Sequence, residues 1–362
     1  MSRVLLVCGG TGGHLAPGIA LAQRLTAEGE ECLLVVSEKV VDAQMMANYP
    51  RLKFTTGKGR GWGPGLGKKL LFFPALLAAV GAAWRLIGKF NPDVIVCFGG
   101  FMSLGPAMAG WLRGRPVVVH EANRKPGKAI RLIARFARSV HLPSGVRLPG
   151  LNLAVQRDSG YPVRQEVRPS ARDVARRTLG FPATGRLLLV AGGSQGAHAL
   201  TRWVEATASV FAQHEIHVLC LTGPQGRSEE LRQGGYILKF IPFSHQMGQV
   251  YSATDLAVTR AGAGTLAELA SCRTPAILVP YPLAAEDHQT ANASYVAQTG
   301  AAVLLPERDL EQLTALVLNR IHDNTSLANM RDALALLDAQ NRWEDLAIET
   351  LTLARGTRPQ VT

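Results

Sequence analysis

Cysteine is scarce and unclustered in this sequence. Cys8, Cys32, Cys97, Cys220 and Cys272 form no C-x-x-C pair and their total is odd. That excludes a disulfide scaffold and a thiolate-held metal as organising principles. Cys8, Cys97 and Cys220 fall in apolar runs and are expected to be small buried residues in a reducing compartment. There is no H-E-x-x-H, no Cys/His grouping and no Asp-x-Asp pair. Neither a metal ion nor a cofactor is therefore expected, and any bound diphosphate has to be neutralised by N–H groups, a helix dipole and arginine. Aromatics make up 6% of the residues, with no basic run interleaved with them, which argues against a nucleic-acid partner. Acid is also short: 27 Asp and Glu stand against 39 Lys and Arg, a net charge of +12. That excess favours phosphorylated substrates or an acidic membrane surface. The first apolar run, Val4 to Cys8, is too short for a secretory signal.

What is abundant is apolar residue, 47% of the chain against 18% charged. Over 362 residues this predicts two ordinary domains with large cores. Strand-like runs at Arg3–Cys8, Glu31–Val36, Asp93–Cys97, Pro116–His120 and Ser139–Leu142 alternate with helical stretches. That rhythm predicts a parallel, doubly wound sheet, which binds ligands at the carboxyl ends of its strands. Pro143 to Pro169 lacks periodicity and reads as an inter-domain linker. The rhythm then restarts at Leu187–Ala191 and continues through His217–Leu221, Tyr236–Ile241, Asp255–Val258, Ala276–Val279 and Ala302–Leu305. Gly9–His14 (G-G-T-G-G-H) and Gly192–Ala197 (G-G-S-Q-G-A) open the two halves alike. We therefore expect domains over 1–161 and 162–339, with a last helix at 340–356 folding back onto the first.

Two segments interrupt the first half. Gly57 to Gly67 is rich in glycine and carries Lys58, Arg60 and Trp62. Leu70 to Trp84 is apolar all round and flanked by Lys68, Lys69, Arg85 and Lys89. It is shorter than the about 20 residues of a membrane span. Its default reading is a buried helix of the sheet; the alternative is an interfacial helix, with residues 68–89 on anionic headgroups.

The stretch Thr259 to Ala270 (T-R-A-G-A-G-T-L-A-E-L-A) carries the sharpest chemistry. It reads as a strand end, a glycine turn, and a helix beginning at Thr265. Such a corner aims free N–H groups and a positive dipole end at an anion. Glu268 would repel a phosphate but can accept from ribose hydroxyls. The plain alternative is a strand-to-helix turn with Glu268 complementing the dipole. His14 is placed to take a proton near neutral pH, or simply to cap a helix. Asn123 offers a donor and an acceptor for sugar hydroxyls, and Arg164 a reach to phosphate. Asp287, His288, Gln289 and Asn292 suit sugar hydroxyls or a helix cap. A dinucleotide site is disfavoured, because Gly10-Thr11-Gly12-Gly13-His14 lacks the third glycine of G-x-G-x-x-G.

Together, G-G-T-G-G-H at 9–14, H-E-A-N at 120–123, P-V-R at 162–164, G-G-S-Q-G-A at 192–197, G-x-x-T-x-x-E at 262–268 and D-H-Q-x-x-N-A at 287–293 resemble the MurG family of peptidoglycan N-acetylglucosaminyltransferases. The resemblance implies an α/β fold of two Rossmann-like doubly wound domains facing across a cleft, the GT-B glycosyltransferase fold. It implies inverting transfer of GlcNAc from UDP-GlcNAc to the C4 hydroxyl of the muramyl sugar of undecaprenyl-diphosphate-linked lipid I, giving lipid II. It further implies a peripheral place on the cytoplasmic side of the cell membrane. Carried over by position, donor contacts fall on Thr11, Gly12, Gly13, Asn123, Arg164, Ser194, Ile241, Ala263, Gly264, Thr265, Leu266, Ala267, Glu268 and Gln289. His14 and Asn123 fall at the reacting centre. The sequence departs from the family at Tyr161 and Ala122, where Asn and Gln are usual, and at Ala261, where Ser is common. Rival readings are a UDP-sugar epimerase, a lipid galactosyltransferase, and a non-catalytic nucleotide-sugar-binding protein.

Overall fold

The computed structural model describes residues 1–9, 12–57, 72–193, 196–224 and 226–356. The chain divides into two compact units, Met1–Arg164 with Asn341–Thr362, and Gln165–Gln340.

Unit 1 contains β1 (Arg3–Val7), β2 (Glu31–Val36), β3 (Lys53–Thr56), β4 (Val94–Cys97), β5 (Val117–His120), β6 (Ser139–Pro143) and β7 (Gln156–Ser159). They lie in the order β3-β2-β1-β4-β5-β6-β7, every pair parallel. The central strands are apolar on both faces because helices cover both. On one face, α1 (Gly12–Ala27), α2 (Val40–Met46) and the C-terminal helix Glu344–Gly356 close a core that includes Leu6, Ile19, Leu34, Leu346 and Leu351. On the other lie α3 (Phe72–Phe90), α4 (Leu104–Leu112) and α5 (Lys128–Ile133) over Leu5, Ile95 and Val119. The C-terminal helix is fastened by polar contacts as well. Glu349 meets His141 Nε2 at 2.9 Å, and Arg355 meets Glu30 at 2.9 Å. The His141 contact, outweighing a partial burial that opposes it, holds the Glu349 carboxyl below its usual range. Asn341 accepts from Tyr161 N at 2.7 Å and donates to Tyr161 O at 3.1 Å.

Unit 2 contains β8 (Arg186–Ala191), β9 (Ile216–Leu221), β10 (Glu229–Gln233), β11 (Tyr236–Ile241), β12 (Leu256–Thr259), β13 (Ala276–Leu278) and β14 (Ala302–Leu304), in the order β10-β11-β9-β8-β12-β13-β14. Only β10 runs antiparallel, joined to β11 through Gly234 and Gly235, whose φ angles of 56° and 86° suit a tight hairpin. The helices are α6 (Arg172–Leu179), α7 (His198–Gln213), α8 (Met247–Ala253), α9 (Ala263–Ser271), α10 (His288–Gln298), α11 (Leu313–Ile321) and α12 (Asn324–Ala339). Below the amino ends of β8 and β12 lies a buried ion cluster. Asp255 takes Arg172 Nη2 and Arg176 Nη2 at 2.6 Å each, and Leu187 N at 2.7 Å. Arg176, wholly buried, also donates to the carbonyls of Ala253, Ala183, Thr184 and Gly185.

Two expectations need correction. Residues 143–169 are not all linker, because Gln156–Ser159 adds a seventh strand to the sheet. Its sequence, Q-R-D-S, has no apolar signal because it is an edge strand. Nor is the apolar helix near 70–84 a buried helix of the sheet. As α3 it runs from Phe72 to Phe90, and Phe73, Leu77 and Trp84 stand exposed while Ala83 and Ile87 face the core. The stretch Phe73–Phe90 is long and apolar enough to cross a membrane by length and composition alone. It instead packs lengthwise on α4, where a Cβ at Gly105 would lie 2.9 Å from the Ala79 methyl.

Substituting Asp255→Ala leaves the Arg176 guanidinium buried without its countercharge. The expected loss is about 3–5 kcal/mol in urea unfolding of the full chain, and a loss under about 1 kcal/mol would show the cluster to be dispensable.

Candidate active site

In unit 2 the features converge at the carboxyl ends of β12 and β13. Helix α9 begins at Ala263, two residues before the expected Thr265, with Gly262 as its extended cap. The first bond of the ladder is Leu266 N to Gly262 O. The amides of Ala263, Gly264 and Thr265 therefore have no acceptor within the helix and point out of its N-terminus. A Cβ at Gly262 would meet only Thr265 Oγ1 among the described residues, at 3.9 Å. Leu266 and Ala267 are half-buried on the same helix. Glu268 sits on the second turn, not the first. It is buried, and Tyr251 donates to its Oε2 at 3.2 Å. Thr274 in turn donates to Tyr251 O at 3.1 Å, tying α8 to the end of α9.

Gln289 frames the same corner. Its Oε1 accepts from Ala261 N at 3.2 Å and Tyr281 N at 2.9 Å, while Asn292 Nδ2 donates to Ala261 O at 3.2 Å. Just before it, Glu286 and Asp287 adopt φ of 55° and 53°, a left-handed conformation costly for non-glycine residues. Arg260 is buried and occupied: it donates to the carbonyls of Val279 and Pro280 and pairs with Glu307. Ile241 ends β11, and its carbonyl already accepts from Thr222 N at 2.9 Å and Thr222 Oγ1 at 3.2 Å. The Thr222 hydroxyl stands equally close to the Arg227 carbonyl, at 3.2 Å, and donates to one of the two at a time.

In unit 1 the predicted residues gather at the carboxyl ends of β1, β4 and β5. Gly12 opens α1, three residues before the expected start, and His14 lies on its first turn. Pro17, inside the helix, has no N–H to give the Gly13 carbonyl. Tyr161 Oη donates to that carbonyl instead, at 3.4 Å. This accounts for tyrosine at a position where asparagine was expected. The His14 ring packs over Gly99 and Gly100, where a Cβ would stand 3.2 Å and 3.5 Å from it. Both glycines have positive φ, 103° and 72°. Glu121 organises the next loop: its carboxylate accepts from Asn123 N at 2.9 Å, Asn123 Nδ2 at 3.0 Å and Gly127 N at 3.0 Å. Burial nonetheless raises its pKa. Arg164 is buried and donates to Tyr49 Oη at 3.2 Å. Thr11 and Ser194 lie outside the described residues.

Tyr251, Tyr49, Gly99 and Gly100 support the predicted residues but escaped sequence reasoning. The two tyrosines come from distant parts of the chain and carry no motif. The glycine pair after β4 was the one available signal.

Two family models match the chain: the glycosyltransferase family 28 N-terminal domain over residues 4–142 and its C-terminal domain over 187–347. Among curated relatives, proteins of Opitutus terrae and Salinibacter ruber are 42% and 36% identical. They align over 98% and 97% of this chain and 97% of their own lengths. Both carry the name UDP-N-acetylglucosamine–N-acetylmuramyl-(pentapeptide) pyrophosphoryl-undecaprenol N-acetylglucosamine transferase. Acinetobacter baumannii MurG shares the fold at 22% identity and a TM-score of 0.68, over 97% of this chain and 100% of that one. The spinosyn rhamnosyltransferase SpnG, solved with thymidine diphosphate, does so at 17% and 0.69, over 97% and 100%. The architecture is the two-domain GT-B fold.

His120, beside the His14 loop, supplies a test of the unit 1 site. It is buried against Phe98 and Tyr161 with Nε2 2.8 Å from Gly160 O, and burial lowers its pKa to about 4. A depressed histidine pKa contributes stability that is present above the unfolded value near 6.5 and lost as pH falls towards the folded value. Between pH 6.5 and 4 the protein should lose stability with a slope of about 1.4 kcal/mol per pH unit from this group. In thermal unfolding across that window, His120→Asn should flatten the slope by one proton; an unchanged slope would contradict the assignment.

Proposed function

The chain belongs to glycosyltransferase family 28, among the MurG-type N-acetylglucosaminyltransferases, and from that premise we propose how its residues divide the reaction. The enzyme transfers GlcNAc from UDP-GlcNAc to the C4 hydroxyl of the MurNAc-pentapeptide of undecaprenyl-diphosphate-linked lipid I, with inversion, forming lipid II. The observation that carries the division is the open N-terminus of α9 with a buried acid one turn further on. The acceptor oxygen attacks C1 of the sugar as the bond from C1 to the diphosphate oxygen breaks. UDP leaves with added negative charge. The amides of Ala263, Gly264 and Thr265 and the α9 dipole are aimed to stabilise that charge. Glu268, steadied by Tyr251, accepts from the ribose hydroxyls. Gln289 keeps its Nε2 for the transferred sugar, because its Oε1 is engaged with backbone.

His14 takes the proton of the attacking hydroxyl, with its imidazole set by Gly99 and Gly100. Asn123, fixed by Glu121, is the sugar contact beside it. Thr11, Gly12, Gly13, Arg164 and Ser194 complete the donor contacts in this reading.

The protein works peripherally on the cytoplasmic side of the membrane, where the lipid acceptor is held. Supporting this, α3 exposes Phe73, Leu77 and Trp84, and α4 exposes Trp111 and Leu112. Arg113 lies 4.0 Å over the Trp84 ring, and Arg85 and Lys89 are exposed on the same helix. An apolar face edged by cations suits an anionic bilayer interface.

Purified protein given labelled UDP-GlcNAc and a short-chain lipid I analogue is expected to form the disaccharide product; release of free or epimerised sugar alone would refute the reaction. His14→Ala should lower kcat by roughly 10²–10⁴-fold while UDP binding stays nearly intact. Parallel loss of both would make the residue structural. For the membrane face, Phe73→Ser with Leu77→Ser should reduce co-sedimentation with anionic vesicles. Unchanged co-sedimentation would show that the exposed face of α3 is not the contact.

A further inference from the structure

We propose that the arginines around Asp255, at the amino edge of the unit 2 sheet, form a binding site for a phosphate-class oxyanion, separate from the donor corner at α9. Three elements bring them together. Arg172 and Arg176 stand four residues apart on one face of α6, Arg186 opens β8, and Arg331 comes in from α12. Asp255 immediately precedes β12, whereas α9 follows that strand. The length of the strand, about 13 Å, therefore lies between the two places.

The charges at this edge do not balance. Arg172, Arg176 and Arg186 all approach the one Asp255 carboxylate, at 2.6 Å, 2.6 Å and 3.6 Å. Arg176 is wholly buried and its remaining donors are met by carbonyls. The other guanidiniums keep donors to spare. Arg172 uses only Nη2, on Asp255 and on Gly185 O, and Arg186 spends its Nη2 on Asn324 Oδ1 at 2.7 Å. Arg331 is half-buried and makes no hydrogen bond or ion pair among the described residues. Burial first, and then repulsion from Arg172 and Arg186, holds its pKa below the usual arginine value, against the pull of Asp255. An arginine stays charged at neutral pH even so. His322, within electrostatic reach of Arg186 and His214, supplies no negative charge. Two acids close by in the chain are engaged elsewhere, Asp173 with Arg177 at 2.9 Å and Asp323 with Ser326 N at 2.9 Å. Four guanidiniums thus share one carboxylate, and crowding like charges at a half-buried place is unfavourable unless a counter-anion joins them. Guanidinium forks match phosphate oxygens, several of which one ion presents at once. The free edges of Arg172, Arg186 and Arg331 are the donors such an ion takes.

The test follows thermal unfolding of the full chain as inorganic phosphate replaces chloride at constant ionic strength, in wild type, Arg331→Gln and Arg331→Lys. Arg331 has no protein acceptor to lose, so Arg331→Gln should fold and, in chloride alone, unfold at or above the wild-type temperature. Phosphate should raise the wild-type Tm, and Arg331→Gln should need about 10-fold more phosphate, or beyond, for the same rise. Arg331→Lys, which keeps the charge without the fork, should fall between them. Stabilisation by phosphate as an excluded salt, and any phosphate bound at the α9 corner, are common to all three proteins and cancel in the comparison. A wild-type Tm that phosphate leaves unchanged would overturn the proposal. So would a wild-type response in Arg331→Gln, whatever its Tm in chloride. Co-sedimentation with phosphatidylglycerol vesicles, set against phosphatidylcholine, separates two sources of the anion. Weaker sedimentation of Arg331→Gln assigns a lipid headgroup and equal sedimentation a free phosphate; with the phosphate difference in hand, either result supports the site.

Discussion

Parallel pairing decides where chemistry occurs in this chain. Two parallel neighbours cannot be joined by a tight turn, so each strand must be followed by a segment that crosses a face of the sheet and returns. In each unit this delivers successive strand-to-helix turns to one edge. The turns are crowded there, and the glycines answer that crowding. A Cβ at Gly9 would lie 2.2 Å from Ser37 N, and one at Gly196 2.4 Å from Thr222 O. At Gly9 and Gly196 the backbone therefore runs where a side chain would not fit.

The opposite edge of each sheet is specialised for cohesion. An acid just ahead of one strand there accepts from the first amides of its neighbour: Asp93 from Arg3 N at 2.8 Å, Asp255 from Leu187 N at 2.7 Å, and Glu30 from Ser2 N. Arginines then close the carboxylates, Arg355 on Glu30 and Arg176 on Asp255. At the carboxyl edges the acids are used differently. Glu121 is spent on loop amides and on Asn123, and Glu268 on Tyr251, so neither stands as an unengaged charge in front of an anion. The hydrogen-bonding capacity of both carboxylates goes to positioning their neighbours.

The division between legible and illegible follows from burial. Strands covered on both faces, such as β1, β4, β5 and β8, are continuous apolar runs and stand out in the sequence. The strands that escaped reading, β3 (K-F-T-T), β7 (Q-R-D-S) and β10 (E-E-L-R-Q), all lie at sheet edges and are polar. Composition alone could not tell which flank of α3 would be covered, because that depends on α4 packing along it. At the site, the glycine corner and Glu268 were readable from local order along the chain. Tyr251, which holds that acid, and Tyr49, which bonds Arg164 from 115 residues away, were not. Spacing carries the groups that would touch substrate, whereas the groups that hold them still are recruited by the fold.

Unit 2 is one continuous segment, but unit 1 is completed by the C-terminal helix, whose Leu346, Ala347, Leu351 and Ala354 seal one side of its core. On the ribosome, about 190 residues separate the end of the first segment from those side chains. At roughly 5–20 residues per second this is a delay on the order of 10–40 s. Throughout it the nascent first unit carries an uncovered apolar groove, and the second unit, which ends at Gln340, is made in full before that groove is sealed. Synthesis order and completion order are thereby inverted, and residues 346–354 decide when the earliest strands become native.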